Sequence, residues 1–231
     1  MEINISTSPE DIERCISIFE ALSKVNDRTI DRLAICCLKA GRYVQAKHLF
    51  QESCQAMLQP PQKRFRSTFP NRLVDAYVLS GESSSYSEVM DWLITYRLTQ
   101  DSYAAYSPIA CYSYSVMELL STSPKNIAPY LEILLKQTKF KDMYAIGLTL
   151  QAIANKDNDA FTTSLSQLLS VHASQVKRGS LRQSGTDCQC LCMFAMSLSY
   201  LANNYGLVTN LENEYLSTDY LKFLRQTDSE K

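Results

Sequence analysis

The residues of this chain that could do chemistry are few and scattered. Cys188, Cys190 and Cys192 form a C-x-C-x-C run that resembles part of a metal site. Tetrahedral zinc takes four ligands, commonly two CxxC pairs or cysteines with histidines. On a helix Cys188 and Cys192 share a face, while Cys190 points about 200° away from them. No second cysteine pair stands nearby, so no metal is expected. The only histidines are His48 and His172, both inside helical patterns. His172 follows Leu165, Leu168 and Leu169 and is expected at a helix end rather than in catalysis. The sequence holds no GxGxxG, P-loop, HExxH or GxSxG motif, so neither an enzyme nor a cofactor is expected.

Two clusters point to binding. Lys63-Arg64-Phe65-Arg66 is a basic run with an aromatic that could grip phosphate. The net charge of −1 makes a solvated loop the expected meaning, with nucleic acid not expected as a partner. Tyrosine is over-used, with 14 in the chain. Trp92, Tyr96, Tyr103, Tyr106 and Tyr112, with Tyr114 beside them, crowd one stretch. Such rings either fill an irregular core or form a partner-binding surface. Trp92 and Tyr96 are four apart and share a helix face. Tyr103 and Tyr106 follow the turn at Asp101-Ser102. Tyr112 and Tyr114 are two apart and cannot both face the core, so at least one is expected at the surface or in a crevice. Trp92, Tyr96, Tyr103, Tyr106 and Tyr112 are therefore the candidate partner-binding residues.

The elements that carry these residues are helices. The 231 residues are 45% hydrophobic and 20% charged, with 6 Gly and 7 Pro, too little turn punctuation for an all-β chain of this size. Ser8-Pro9-Glu10-Asp11 starts a helix, with Ser8 as the cap and Pro9 in the first turn. Ile12, Cys15, Ile16 and Phe19 follow at helical spacing. A helix from about Asp27 to Ala40 ends at Gly41, and another runs from Arg42 to Leu58 before Pro60-Pro61. The same grammar recurs with turns near residues 41, 81, 123 and 157. LAICCLKAGRYVQAKHLFQES can be laid over TLQAIANKDNDAFTTSLSQLL, with Gly41 opposite Asp157. These features predict one all-α domain over 1–231, an array of antiparallel helical hairpins of tetratricopeptide or HEAT type with about ten helices. Exposed loops are expected near 59–66 and 177–187. The last long helix is expected over Cys188–Asn204, ending at Gly206, with the apolar residues of the tail packing back on the bundle.

The eight cysteines lie mostly in apolar helical positions of a chain without a signal-like start, so reduced, buried thiols are expected. No run approaches the roughly 18 apolar residues of a membrane span. These points predict a cytoplasmic protein that does not engage membranes.

The C-terminal third resembles a known family. FTTSLSQLLSVHASQ and LCMFAMSLSYLANNYGLVTNLENEYLSTDYLKF are similar to the immunity protein 49 family of bacterial polymorphic toxin systems. Leu201, Ala202, Gly206, Val208, Glu214, Tyr215 and Leu216 carry the likeness. Ser217 stands where the family often has proline. The resemblance implies a cytosolic antidote that binds one cognate toxin by steric occlusion. A tetratricopeptide-like adaptor is the alternative, suggested by Gly41, Tyr43, Ala46 and Phe50. Neither reading fixes the oligomeric state.

Overall fold

The computed structural model describes residues 8–23, 29–59, 70–121, 126–178, 190–208 and 211–229. They form an all-α helical array: α1 (Pro9–Ser23), α2 (Ile30–Lys39), α3 (Tyr43–Leu58), α4 (Pro70–Ser80), α5 (Tyr86–Thr99), α6 (Ser102–Ala105), α7 (Pro108–Leu120), α8 (Ala128–Leu135), α9 (Lys141–Asn155), α10 (Asn158–Lys177), α11 (Met193–Asn204) and α12 (Thr218–Ser229). Most of the expected loop stretches, and Cys188, lie outside the described residues. No described helix is long and apolar enough to cross a membrane.

Caps set the helix boundaries. Ser8 Oγ accepts the Asp11 N–H at 3.2 Å and so starts α1 as its sequence predicts. Gly41 takes φ 74°, and the Arg42 N–H reaches the Cys37 carbonyl at 2.8 Å, which closes α2 and turns the chain into α3. The α9–α10 hairpin turns in the same way at Lys156, φ 55°, with the Asp157 N–H on the Ala152 carbonyl. The position equivalent to Gly41 is therefore Lys156. The sequence overlay that set Gly41 against Asp157 is one residue out of register. Lysine accepts the left-handed conformation at a cost of about 1–2 kcal/mol. Asp157 serves the next helix instead, because its carboxylate accepts the Ala160 N–H and caps α10.

Successive helices pair from α1 to α4 and from α7 to α10. The C-terminal part breaks this neighbour-only order. α11 packs on α4, α7 and α9, and most of its length is buried. α12 returns to α3, where Tyr220 meets Tyr43 and Phe50, and the Tyr220 hydroxyl donates to the Leu79 carbonyl in α4. An open solenoid has repeats that touch only their neighbours. Here the last two helices close over the middle of the array. Leu207, Tyr215, Leu216, Tyr220, Leu221 and Leu224 are buried, so the tail folds back as its apolar residues predict.

Two sequence expectations need correction. α11 begins at Met193 rather than Cys188. Cys192 is extended, and its N–H is taken by the Tyr215 carbonyl at 2.9 Å, a tertiary bond that sets where the helix starts. Asp101-Ser102 opens the short helix α6 rather than a plain turn, because the Asp101 carboxylate accepts the Ala104 N–H.

Candidate functional site

The tyrosine-rich stretch is divided by the structure between core and surface. α5 turns Val89, Leu93 and Tyr96 inward. Trp92 is half-buried and stacks on Tyr96, with centroids 5.4 Å apart and planes 10° from parallel, as their spacing predicts. Tyr106, at the end of α6, is 48% exposed. The Tyr103 side chain is outside the described ones. Tyr112 is fully buried, donates its hydroxyl to Asp75 at 2.5 Å, and meets the Phe194 ring edge-on at 4.7 Å. Tyr112 therefore belongs to the core and cannot touch a partner. Tyr114 is also buried. Tyr114 nevertheless reaches a crevice, the cleft described next, whereas Tyr112 is sealed where α7 is covered by its neighbouring helices.

Beside this core lies a cleft between α5, α7 and α8. Its cavity of about 350 Å³ is lined by Met90, Ile94, Arg97, Tyr114, Glu118 and Tyr130, among others. Arg97 Nη1 donates to the Tyr130 hydroxyl at 3.2 Å, and its guanidinium carbon sits 5.8 Å from the centre of the Tyr114 ring. The Tyr114 and Tyr130 rings are 5.3 Å apart. Arg97 is thus held by two aromatic groups and has no carboxylate partner among the described residues. The buried Tyr114 hydroxyl has no hydrogen-bond partner among the described residues. Burial pushes the phenols of Tyr96, Tyr114 and Tyr130 up, and Arg97 only partly opposes this at Tyr114 and Tyr130. They are neutral donors at physiological pH.

The cleft is mixed in character, with Glu118 and Asn126 lining it beside Met90 and Ile94. Ile94 is 41% exposed and Leu98, one turn on, is 76% exposed. Exposed Ile94 beside an arginine held by aromatic rings can contact a partner. Arg97, Tyr130, Ile94 and Leu98 were not among the sequence candidates. The available signal was in α5, where Met90, Ile94 and Leu98 form a second apolar stripe out of phase with Val89, Leu93 and Tyr96.

The other chemical candidates lie elsewhere. His48 is exposed, 3.4 Å from Glu52. His172 is buried against the Tyr215 ring, five residues before α10 ends, so it lies inside the helix rather than at its end. Lys63 to Arg66 fall outside the described residues. Cys15, Cys36, Cys37, Cys54, Cys111, Cys190 and Cys192 are buried free thiols. Burial raises Cys54 to about 12 and Cys190 to about 11. Among the described residues no group of three or more His, Cys, Asp or Glu is placed to hold a metal ion. Asp75, missed by the sequence reading, accepts from both Tyr112 and Ser197, at 2.5 and 2.7 Å. Burial pushes its carboxyl up to about 7. At 2% exposure it is a structural junction of α4, α7 and α11 that no substrate reaches.

Comparison with protein-family models, curated proteins and solved structures returns no match to this chain.

Proposed function

We propose that this chain is a cytoplasmic immunity-type protein that binds and neutralises a cognate toxin by steric occlusion, with no catalytic step of its own. The observation that carries the binding reading is the α5–α8 cleft, where Arg97 lacks a carboxylate partner among the described residues and lies beside exposed Ile94, with exposed Leu98 one turn further along α5. Apolar anchors beside an arginine are the composition of an interface hot spot. The partner surface that fits is an apolar ridge carrying a carboxylate. The toxin assignment rests on the likeness of the C-terminal third to the immunity protein 49 family. A toxin met in the cytosol acts on a cytosolic target such as nucleic acid or a nucleotide cofactor.

A second reading, a peptide-binding adaptor, is favoured by a groove of about 480 Å³ along α9 and α10 lined by Gln151, Asn155 and Gln167, whose amides suit a peptide backbone. The closure of α11 and α12 over the array speaks against an open scaffold.

The test is co-expression with the product of a toxin gene adjacent to this one. The chain should restore growth and co-elute with the toxin. Arg97→Glu should abolish both while leaving the melting temperature unchanged. Growth restored equally by Arg97→Glu would remove the cleft from the mechanism, and failure of the wild-type chain to restore growth would remove the immunity reading.

A further inference from the structure

A second cavity, sharing no described lining residue with the α5–α8 cleft, opens where α4, α7 and α11 end. These helices are already joined at Asp75. The last turns of α4, α7 and α11 line a space of about 340 Å³, within the range of small-ligand sites. A helix C-terminus carries partial negative charge on its last carbonyls. None of the three helices has a basic residue in its last turn. The carbonyls of Leu79, Met117 and Leu119 accept from the hydroxyls of Tyr220, Tyr86 and Tyr205, neutral donors that leave the charge of the helix ends in place. Glu82, just past the end of α4, adds a carboxylate to the wall, against the sign that this helix end prefers. No lysine, arginine or histidine lines the cavity among the described residues. Arg225 of α12 donates to Asn203, which is not part of the wall.

Tyr77 is the independent observation. It is 7% exposed, so its ring is fixed in the wall. Tyr86, Tyr205 and Tyr220 donate their hydroxyls to helix-end carbonyls, whereas the Tyr77 hydroxyl makes no hydrogen bond among the described residues. Nor is it among the hydroxyls sealed in the core, as that of Tyr114 is. Burial pushes the Tyr77 phenol up, and Cys54, Tyr86 and Glu82 add to the rise with no cation opposing it. The hydroxyl is a neutral oxygen in a region of negative potential, able to accept a hydrogen bond.

Helix ends without a basic residue, a carboxylate and a phenol oxygen with unused lone pairs all call for a donor that carries positive charge. The space exceeds a bare metal ion, and Val78 and Leu120 supply the apolar contacts of an alkyl chain. We infer that this cavity binds a primary alkylammonium group, with the ammonium held between the Glu82 carboxylate and the Tyr77 hydroxyl and its methylenes laid along Val78 and Leu120. The site is independent of the toxin-binding reading, because none of its residues belongs to the α5–α8 cleft.

The test is an NMR chemical-shift titration of the full chain near neutral pH with n-butylamine and with Nα-acetyl-lysine N-methylamide, beside butan-1-ol as the neutral counterpart. At least one amine should bind about tenfold more tightly than the alcohol, the worth of a charge-assisted hydrogen bond. Tighter binding of the lysine derivative assigns the site to a lysine side chain of a partner, and tighter binding of butylamine to a free amine. Glu82→Gln should weaken the amine by about tenfold or more. Tyr77→Phe should weaken it severalfold with the melting temperature at the wild-type value, because the hydroxyl removed has no hydrogen bond to lose among the described residues. Arg97→Glu, in the other cleft, should leave amine binding unchanged. No binding by either amine, alcohol binding as tightly, or an amine affinity unchanged in Tyr77→Phe or in Glu82→Gln would each overturn the assignment.

Discussion

Tyr112 donates its phenolic hydrogen to Asp75 Oδ1 across 2.5 Å, and neither residue reaches solvent. This bond ties α7 to α4, and Ser197 brings α11 to the same oxygen. The other carboxyl oxygen, Oδ2, has no hydrogen-bond partner among the described residues. One oxygen with two donors is too little to hold a full negative charge in the interior, which is why burial raises this carboxyl to about 7.

The first prediction follows from that proton. In the unfolded chain Asp75 ionises near the ordinary aspartate value of about 3.9. In the folded chain it keeps its proton to about 7. The unfolded state therefore loses its proton first as pH rises. Stability contributed by this site is intact in acid and is lost between about pH 4 and 7, by up to roughly 4 kcal/mol. Asp31 adds a slope of the same sign, since burial raises it too, although Arg72 opposes the rise at 2.6 Å. Urea denaturation should give a lower midpoint at pH 8 than at pH 5.5, and Asp75→Asn should remove most of that difference. An unchanged pH slope in Asp75→Asn would mean that the carboxyl titrates normally.

Close approach of helices yields a second. α9 crosses α8 at Gly147, where an added Cβ would lie 3.0 Å from the Leu134 Cβ and 3.4 Å from the Leu134 carbonyl carbon. Alanine would gain about 1 kcal/mol of helix propensity and lose much of it to this contact. Valine adds two methyl groups where backbone limits the yield. Gly147→Val should therefore cost about 1–3 kcal/mol, read as a lowered melting temperature, while Gly147→Ala should stay within about 1 kcal/mol of the wild type. A neutral valine variant would show that α8 can move away.

The reach of the sequence can be judged at such places. Helix starts and ends marked by Ser8, Gly41, Gly81 and Gly206 were legible, because capping and positive φ need particular residues. The turn at Lys156 carried no glycine, so its register was misread by one. The start of α11 depends on the Tyr215 carbonyl, a partner distant in sequence and invisible to local pattern. The tyrosine excess was visible, but its division was not. Spacing placed Tyr112 and Tyr114 on different sides of α7, and only the packing of the neighbouring helices showed that Tyr112 is sealed in the core while Tyr114 lines the wall of a cleft. Arg97 became a candidate only when α8 brought Tyr130 beside it.

Thiol chemistry provides a third prediction. Buried Cys36, Cys54 and Cys111 resist forming thiolate, the reactive species, and Cys54 is raised to about 12. In the native chain at pH 8 these three should be alkylated far more slowly than free cysteine, and at ordinary rates once urea unfolds the chain. Peptide mass spectrometry separates the sites. Fast native labelling at Cys54 would show that α3 opens locally on the labelling timescale.

The last prediction separates surface from core within the tyrosine-rich stretch. Leu98 and Tyr106 are exposed at 76% and 48%, so removing their side chains leaves no cavity. Leu98→Ala and Tyr106→Ala should leave stability within about 0.5 kcal/mol of wild type, as surface changes do. Tyr112→Ala removes a fully buried ring, its contact with Phe194 and a donor to Asp75. It should cost about 3–5 kcal/mol. Binding should follow the opposite order. Leu98 flanks the cleft that holds Arg97, so Leu98→Ala should weaken a toxin complex by about 2 kcal/mol if it is a hot spot. Trp92→Ala tests the half-buried middle of the series, where the ring both stacks on Tyr96 and contributes surface, and it should lower stability and affinity together. Thermal denaturation and titration calorimetry of the same four variants give both quantities. A complex insensitive to Leu98→Ala and Trp92→Ala alike would move the partner surface away from α5.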